Sequence, residues 1–415
     1  MSSPVPPGEE AELAALRVLA RRLGVGDEVR LLSPWTPLPT VASAGASTLS
    51  GAADLLMRFS PVLVLGVTGS AGKTTTARLT EAMLRASGVE TLSSSDAPAD
   101  NAWPTAALLE HVLGARPPAV CVAELTSNHL AVCSASPQIA CITNVWPDHV
   151  DQHGSLAAYL AAKARIVEFQ SPVDWVVVNA DDAGAVALAA GSPGRVLRCT
   201  LGDPGDEPGA GVRAGRLVAR LDGSELDLGP AAALPPAPGR EAGLLAAASA
   251  LLAGASPAGI AAALRDWNGL ALRREHVGVV GGSPVIRDAL AATPVKAAAG
   301  LSLHAPGSVV LIAGGYDDLG GGALHASPEE REQLERAAAV AATACVHAAL
   351  FGPAGPRLAA TLTAAGLASV TVHASLAEAC SDARAHAAPG RTIVFAPWFA
   401  TTPAERASVP ELLGL

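Results

Sequence analysis

Residues 61–67 (PVLVLGV) form an unbroken apolar run with β-branched members, followed at once by a glycine-rich turn and a helical pattern from about residue 74 to 86. That order predicts strand, loop and helix. Similar apolar runs recur at 119–123, 139–145, 175–178, 309–313, 348–351 and 392–395, separated by alanine-rich helical stretches such as 156–168. Continuous apolar strands alternating with helices predict an α/β protein with parallel layers. Between 202 and 239 the composition shifts to Gly, Pro and Asp with short alternating stretches at 216–227, which reads as a small β element rather than a linker. A second break falls at 266–274 (DWNGLALRR), ahead of a fresh strand pattern at 277–286. These breaks divide the chain at about 1–57, 58–268 and 269–415, with no repeat of fixed period.

Composition narrows the class. A chain of 415 residues, half of them hydrophobic and 16% charged, has enough apolar surface for real cores. A formal charge of −10 with no lysine/arginine stripe argues against nucleic-acid binding, because like charge repels a phosphate backbone. The six cysteines never form C-x-x-C and sit mostly in apolar runs, as reduced core thiols of a cytosolic protein do. The opening MSSPVPPGEE has no basic segment leading into an apolar one, and stretches such as 244–252 fall short of the roughly 20 residues a membrane span needs. A cytoplasmic protein without membrane contact is expected. Lysine is scarce: only Lys73, Lys163 and Lys296 stand beside 25 arginines.

The loop Gly66-Val67-Thr68-Gly69-Ser70-Ala71-Gly72-Lys73-Thr74-Thr75 carries the strongest chemical signal. Its glycines let backbone N–H groups approach a triphosphate, Lys73 reaches the outer phosphates, and the Thr74 hydroxyl is placed for Mg²⁺ at a helix N-terminus. Glu124 stands just past the 119–123 strand, and Asn144-x-x-x-Asp148-His149-x-Asp151 follows the 139–143 strand. Both groups are expected at C-terminal strand ends, where open α/β sheets bind ligands. A carboxylate and an imidazole there can hold a Mg²⁺ shared with ATP oxygens, although either alone reads equally well as a helix cap or a solvated side chain.

The pattern G-x-T-G-S-x-G-K-T-T over 66–75 resembles the ATP loop of the Mur ligases, amide-forming synthetases of peptidoglycan precursor assembly. Tyr159-x-x-Ala162-Lys163-x-x-Ile166 resembles that family's segment whose lysine is carbamylated and bridges a second Mg²⁺; arginine cannot form a carbamate. Leu32-Ser33-Pro34-x-x-Pro37 is similar to the segment closing the UDP-binding domain. Leu270-x-x-Arg273-x-Glu275 and Asp288-x-x-Ala291-x-Thr293-Pro294 look like motifs whose Arg and Asp contact ATP. Residues 312–315 and 395–401 correspond to two loops that receive the incoming amino acid.

The resemblance implies a short UDP-substrate-like domain at 1–57, a central P-loop ATP-binding domain at 58–268 and a Rossmann-like amino-acid domain at 269–415. It further implies an ATP-dependent, ADP-forming ligase that adds D-glutamate to a UDP-muramoyl precursor. The chain is expected to act as a monomer with two Mg²⁺ sites and a carbamylated Lys163. Catalytic roles fall to Lys73, Glu124, His149 and Lys163, with Thr74, Glu124, His149 and Lys163 on the metals. ATP falls to Thr68, Gly69, Ser70, Ala71, Gly72, Lys73, Thr74, Thr75, Arg273 and Asp288, and substrate to Asn101, Ser127 and Thr401. Some positions depart from the pattern. About 57 residues precede the central domain, fewer than a full UDP-binding unit, and the family's amino-acid-pocket lysines are replaced around Asp317-Asp318 and by Leu290. A diverged ligase with another amino acid or acceptor, or a non-catalytic nucleotide-binding homologue, are therefore the alternatives; the retained Glu124, His149 and Lys163 argue against the second.

Overall fold

In the computed structural model of this chain, the described residues are 9–26, 29–32, 49–93, 104–148, 150–237, 239–316 and 328–415. They divide into two compact units, the first running to Trp267 and the second from Asn268 to Leu415, with the short piece 149–151 grouped with the second.

In the first unit β1 (Arg30–Leu32) and β2 (Leu49–Gly51) form a small parallel pair. A nine-stranded sheet follows, built in chain order from β3 (Leu63–Thr68), β4 (Thr91–Ser93), β5 (Val120–Glu124), β6 (Ile139–Ile142), β7 (Trp175–Asn179), β8 (Arg195–Cys199), β9 (Gly209–Arg213), β10 (Arg216–Leu221) and β11 (Ser224–Pro230). Their order across the sheet is β11-β10-β9-β8-β7-β6-β3-β5-β4. Pairing is parallel from β4 to β9 and antiparallel through β9, β10 and β11, so the Gly/Pro-rich stretch after residue 202 extends the main sheet as a meander.

The continuous apolar runs are explained by burial on both faces. Val64, Cys121, Ala123, Ala140, Ile142, Val176 and Val178 enter one core, while their chain neighbours Leu65, Val67, Val122, Ile139, Cys141 and Val177 enter the other. Period-two side chains thus alternate between two apolar layers rather than between core and water. The helix Lys73–Ala86 supplies Leu79 and Met83 to the second core, and the helix Arg240–Leu252 supplies Leu244 and Leu245. The helices Glu9–Arg22 and Ala52–Phe59 bring Leu16, Leu19, Leu55 and Leu56 into the first.

The second unit holds β12 (Glu275–Val280), β13 (Ser283–Arg287), β14 (Val309–Gly314), β15 (Cys345–Phe351), β16 (Val370–His373) and β17 (Thr392–Trp398), ordered β12-β13-β17-β14-β15-β16. Strand pairing is parallel except for the β12–β13 hairpin. The single strand pattern read at 277–286 is therefore two strands. Gly281 and Gly282, at φ +56° and +83°, form the two-residue turn between them, a conformation that suits glycine and matches strand twist. Val310 and Ile312 face one core and Leu311 and Ala313 the other, repeating the two-layer arrangement of the first unit.

All six cysteines are buried and unpaired, and burial pushes the thiols of Cys121, Cys141, Cys345 and Cys380 up to about 12, which keeps them protonated and inert. No helix among the described residues is long and apolar enough to cross a membrane.

Candidate active site

Strand β3 delivers the chain into the loop at Thr68, whose hydroxyl donates to the Leu125 carbonyl at 2.7 Å. Gly69 (φ +154°) and Gly72 (φ +82°) then bend the loop into the helix Lys73–Ala86. A β-carbon at Gly69 would meet Thr143 Oγ1 at 1.8 Å, so only glycine fits there. The residues just past β6 clamp this turn. Asn144 Oδ1 accepts from Ser70 N at 3.1 Å and Ala71 N at 2.8 Å, while its amide donates to the Ala71 carbonyl at 3.2 Å. Thr143 Oγ1 donates to the same carbonyl at 2.6 Å, and Asn179 at the end of β7 braces the Thr143 carbonyl at 3.0 Å. The Ser70 and Ala71 N–H groups are committed to Asn144, and the N–H groups from Lys73 to Thr75 precede the first intrahelical bond, which Thr76 N makes to the Gly72 carbonyl at 2.9 Å, so they lie at the helix end that suits an anion.

Charge converges on this loop. Lys73 Nζ donates to the Gly69 carbonyl at 3.0 Å. Lys163, from the helix Leu156–Glu168 capped by Ser155, donates to the same oxygen at 3.0 Å while only 2% exposed. Its ammonium also sits 5.0 Å from the Tyr159 ring centre. Tyr159 OH and Ser70 Oγ are 2.9 Å apart, and burial together with the neighbouring Asp148 carboxylate holds the phenol far above its ordinary range, as a neutral hydroxyl. Thr74 Oγ1 donates to Glu124 Oε2 at 2.7 Å, both residues buried. Hard oxygen donors facing one another beside a helix N-terminus suit Mg²⁺.

Lys73, Thr74, Glu124 and Lys163 are therefore gathered around one loop from three segments of the chain. Thr75 lies half-buried in the first turn of the same helix. Ser127 is buried with its hydroxyl 2.9 Å from His153 Nε2. His149 and Asn101 lie outside the described residues. Thr143 and the clamping role of Asn144 were not read from sequence, and Tyr159 was noted only as the start of the Lys163 motif; for the clamp the one local signal was Asn144 opening the acidic and histidine motif. Asn144→Ala strands the Ala71 N–H in a part-buried turn, at about 1–3 kcal/mol, while Ser70 N keeps the Asn144 main-chain carbonyl at 3.0 Å, and is expected to weaken ATP binding by tenfold or more. Titration with a non-hydrolysable ATP analogue measures it.

In the second unit Asp288 pairs with Arg274: the Arg274 N–H donates to its Oδ1 at 3.3 Å, and the guanidinium reaches the Gly300 carbonyl at 2.8 Å. Burial pushes the Asp288 carboxyl up, with Arg274 and Arg273 drawing it back. Arg273 stands between two residues with positive φ, Leu272 at +62° and Arg274 at +49°, a strained path of the kind found where a side chain must be aimed. Glu275 holds that path, accepting from Leu272 N at 2.9 Å and from Arg287 at 2.7 Å. Gly314 and Gly315 close β14 against the end of β17, where a β-carbon on Gly315 would meet the Ala400 carbonyl at 2.4 Å. Beside this turn, Thr401 Oγ1 and Trp398 Nε1 are buried without a hydrogen-bond partner among the described residues, and Trp398 carries φ +68°. Asp317 and Asp318 lie outside the described residues.

Residues 67–227 match the Mur ligase middle domain. Among curated proteins the chain is similar to the UDP-N-acetylmuramoylalanine–D-glutamate ligase of Symbiobacterium thermophilum, 35% identical over 306 residues that cover 72% of this chain and 64% of that protein. The same enzyme of Geotalea daltonii is 31% identical over 292 residues, 70% of this chain and 61% of that one. The matched region thus spans under two thirds of either relative. Among solved structures, a murein peptide ligase Mpl from Psychrobacter arcticus superposes with a TM-score of 0.59 at 16% identity, over 97% of this chain and 96% of that one. E. coli FolC in complex with ADP gives 0.62 at 18%, over 91% and 97%. These two likenesses concern the fold. The matched middle domain, together with the curated relatives, makes residues 67–227 of this chain a member of the Mur ligase family.

Proposed function

We propose that this chain is an ATP-dependent, ADP-forming ligase of peptidoglycan precursor synthesis, joining D-glutamate to UDP-N-acetylmuramoyl-L-alanine. The observation that carries this reading is the convergence of Lys73 and Lys163 on the Gly69 carbonyl beside the Thr74–Glu124 pair. The acceptor's carboxylate attacks the γ-phosphate of ATP, giving an acyl phosphate and ADP. The amino acid's amine then attacks the acyl carbon, and phosphate leaves from a tetrahedral intermediate. Lys73 and the N–H groups of the first helical turn hold the phosphates and offset the charge that grows on the transferring oxygens. Thr74 and Glu124 would hold one Mg²⁺ and His149 and Lys163 a second, and the ions would supply further charge neutralisation and orientation.

Carbamylation of Lys163 supports the second site. Two ammonium groups bonded to one carbonyl at 3.0 Å lie at most about 6 Å apart, where like charges repel by about 3 kcal/mol at an effective dielectric of 20. When the neutral Lys163 amine attacks CO₂ and releases a proton, the carbamate replaces that repulsion with attraction and presents two oxygens to a metal.

The same reading gives residues 58–268 to ATP, with Arg273 and Asp288 of the following segment also assigned to the nucleotide. Residues 1–57 go to the acceptor: the helix Glu9–Arg22 and β1 line a cavity of about 650 Å³ carrying Arg17, Arg21 and Arg30, cations suited to a diphosphate. Residues 269–415 go to the amino acid, where the Thr401 hydroxyl, buried without a hydrogen-bond partner among the described residues, is suited to its carboxylate. The chain is read as a cytoplasmic monomer.

Phosphate release from ATP on mixing UDP-N-acetylmuramoyl-L-alanine with D-glutamate tests the reading. Leu290, standing where the family pattern places a lysine, favours a second one, in which a different amino acid enters. Release only with another amino acid selects that second reading, and no release with any pair leaves a nucleotide-binding homologue without ligase activity.

A further inference from the structure

Three of the chain's ten histidines meet on one carboxylate far along the sequence from the phosphate loop. His347 lies in β15, His373 ends β16, and Asp382 and His386 stand four residues apart on and just past the helix Leu376–Ala385, so they share one helical face. Asp382 Oδ2 is 3.0 Å from His347 Nε2 and 2.8 Å from His373 Nε2, and Oδ1 is 3.2 Å from His386 Nδ1. His386 Nδ1 also lies 3.0 Å from the Asp382 carbonyl, a contact in which Nδ1–H donates and the ring's lone pair falls on Nε2. Potential ligand atoms of His347, Asp382 and His386 fall within 4.8 Å of one another.

We propose that His347, His373, Asp382 and His386 form a binding site for a divalent transition metal of the zinc type. Imidazole nitrogen with one carboxylate is a donor set that zinc, cobalt and nickel accept and that magnesium does not favour. A tetrahedral zinc with bonds of about 2.0–2.1 Å spaces its donors about 3.3 Å apart, close to the 2.8–3.2 Å that separate Asp382 from the three imidazoles, while the imidazole nitrogens must draw together around the ion. Outer partners of the kind that orient metal ligands are in place. Ser369 Oγ sits 2.8 Å from His347 Nδ1, which directs Nε2 inward, and the Thr371 hydroxyl donates to Asp382.

A hydrogen-bonded lattice alone accounts for Asp382 with Thr371 and His373. His347 and His386 stack face to face at 3.7 Å and 11°, so the more exposed His386 ring turns for one ion to lie in the plane of both. Two protonated imidazoles resist that contact, whereas metal ligation requires both to be neutral. His347 is 1% exposed, while His373 and His386 retain 23% and 37% of their side-chain surface, which leaves a path for an ion to enter.

Titration of the chelator-stripped full chain with Co²⁺ tests the proposal. The expected result is an intense visible absorption, typical of tetrahedral Co²⁺ with nitrogen ligands, that saturates at one equivalent and is displaced by Zn²⁺. His373→Asn and His386→Gln, both at partly exposed positions, are each expected to weaken Co²⁺ binding by about tenfold or more. Glu124→Gln, at the phosphate loop, leaves the band in place. No such band in the wild type, a band that survives both histidine substitutions, or one lost in Glu124→Gln overturns the proposal.

Discussion

Replacing Lys73 by alanine is expected to lower ATP-dependent phosphate release by about 10²–10³-fold, the loss that follows removal of one preorganised donor from a developing oxyanion. Lys73 is the first residue of its helix and reaches back to the Gly69 carbonyl at 3.0 Å, so its ammonium lies over the turn that the anion is proposed to fill. It is half-buried and belongs to neither hydrophobic core, so its removal should leave the thermal midpoint near that of the wild type. Lys73→Arg is expected to fail almost as badly. A planar guanidinium is broader than the compact ammonium and cannot occupy the same space between loop carbonyl and phosphate oxygens. Steady-state release under saturating ATP separates the outcomes. A loss of turnover with an unchanged midpoint assigns Lys73 to chemistry, and wild-type turnover in Lys73→Ala removes it from the proposed mechanism.

What the sequence made readable depended on how local each signal was. Strand β3, the loop after it and the helix Lys73–Ala86 are contiguous, and a strand buried on both faces is apolar at every position, so the run 61–67 stands out. Strands β8 and β16 were not foreseen because exposed residues interrupt them: Arg195 and Arg198 in one, Thr371 and Val372 in the other. The 277–286 run hid a hairpin because its two-residue Gly281–Gly282 turn is shorter than the window in which a strand is recognised. Within the site, Glu124 and Lys163 were found from motifs. The Asn144 clamp on Ser70 and Ala71 joins residues more than 70 positions apart and leaves no periodic trace. The tie between Arg274 and Asp288 was not foreseen, since it runs through the Arg274 main-chain N–H, which no side-chain motif marks. The histidine cluster on Asp382 went unread for the same reason: its members are spread from 347 to 386 and meet only through strand pairing and one helical turn.

Lys163→Met is expected to abolish turnover to a similar degree without destabilising the fold, and the choice of methionine is what makes the experiment decisive. Lys163 is 2% exposed and packs beside Tyr159 on a helix that also supplies Ile166 and Val167 to the first core, so truncation to alanine would open a cavity and confuse folding with function. Methionine keeps an unbranched stem of similar length and removes only the amine. Burial of a charge is costly and Lys73 shares its acceptor, so relief of that repulsion should leave the midpoint equal to or above that of the wild type. If Lys163 serves only to brace the Gly69 carbonyl, the charged hydrogen bond that methionine cannot make is worth about 1.5–3 kcal/mol, and turnover falls only modestly. If it carries the carbamate, turnover falls by about 10²–10³-fold, because a metal-bridging anion is gone at the point where phosphoryl charge develops. Lys163→Arg fails equally, since a guanidinium does not add CO₂. The covalent step has its own readout: protein equilibrated with ¹³C-bicarbonate should show a carbamate carbon resonance that Lys163→Met lacks. Wild-type turnover in Lys163→Met, or the same carbamate resonance in both proteins, would remove Lys163 from the second metal site.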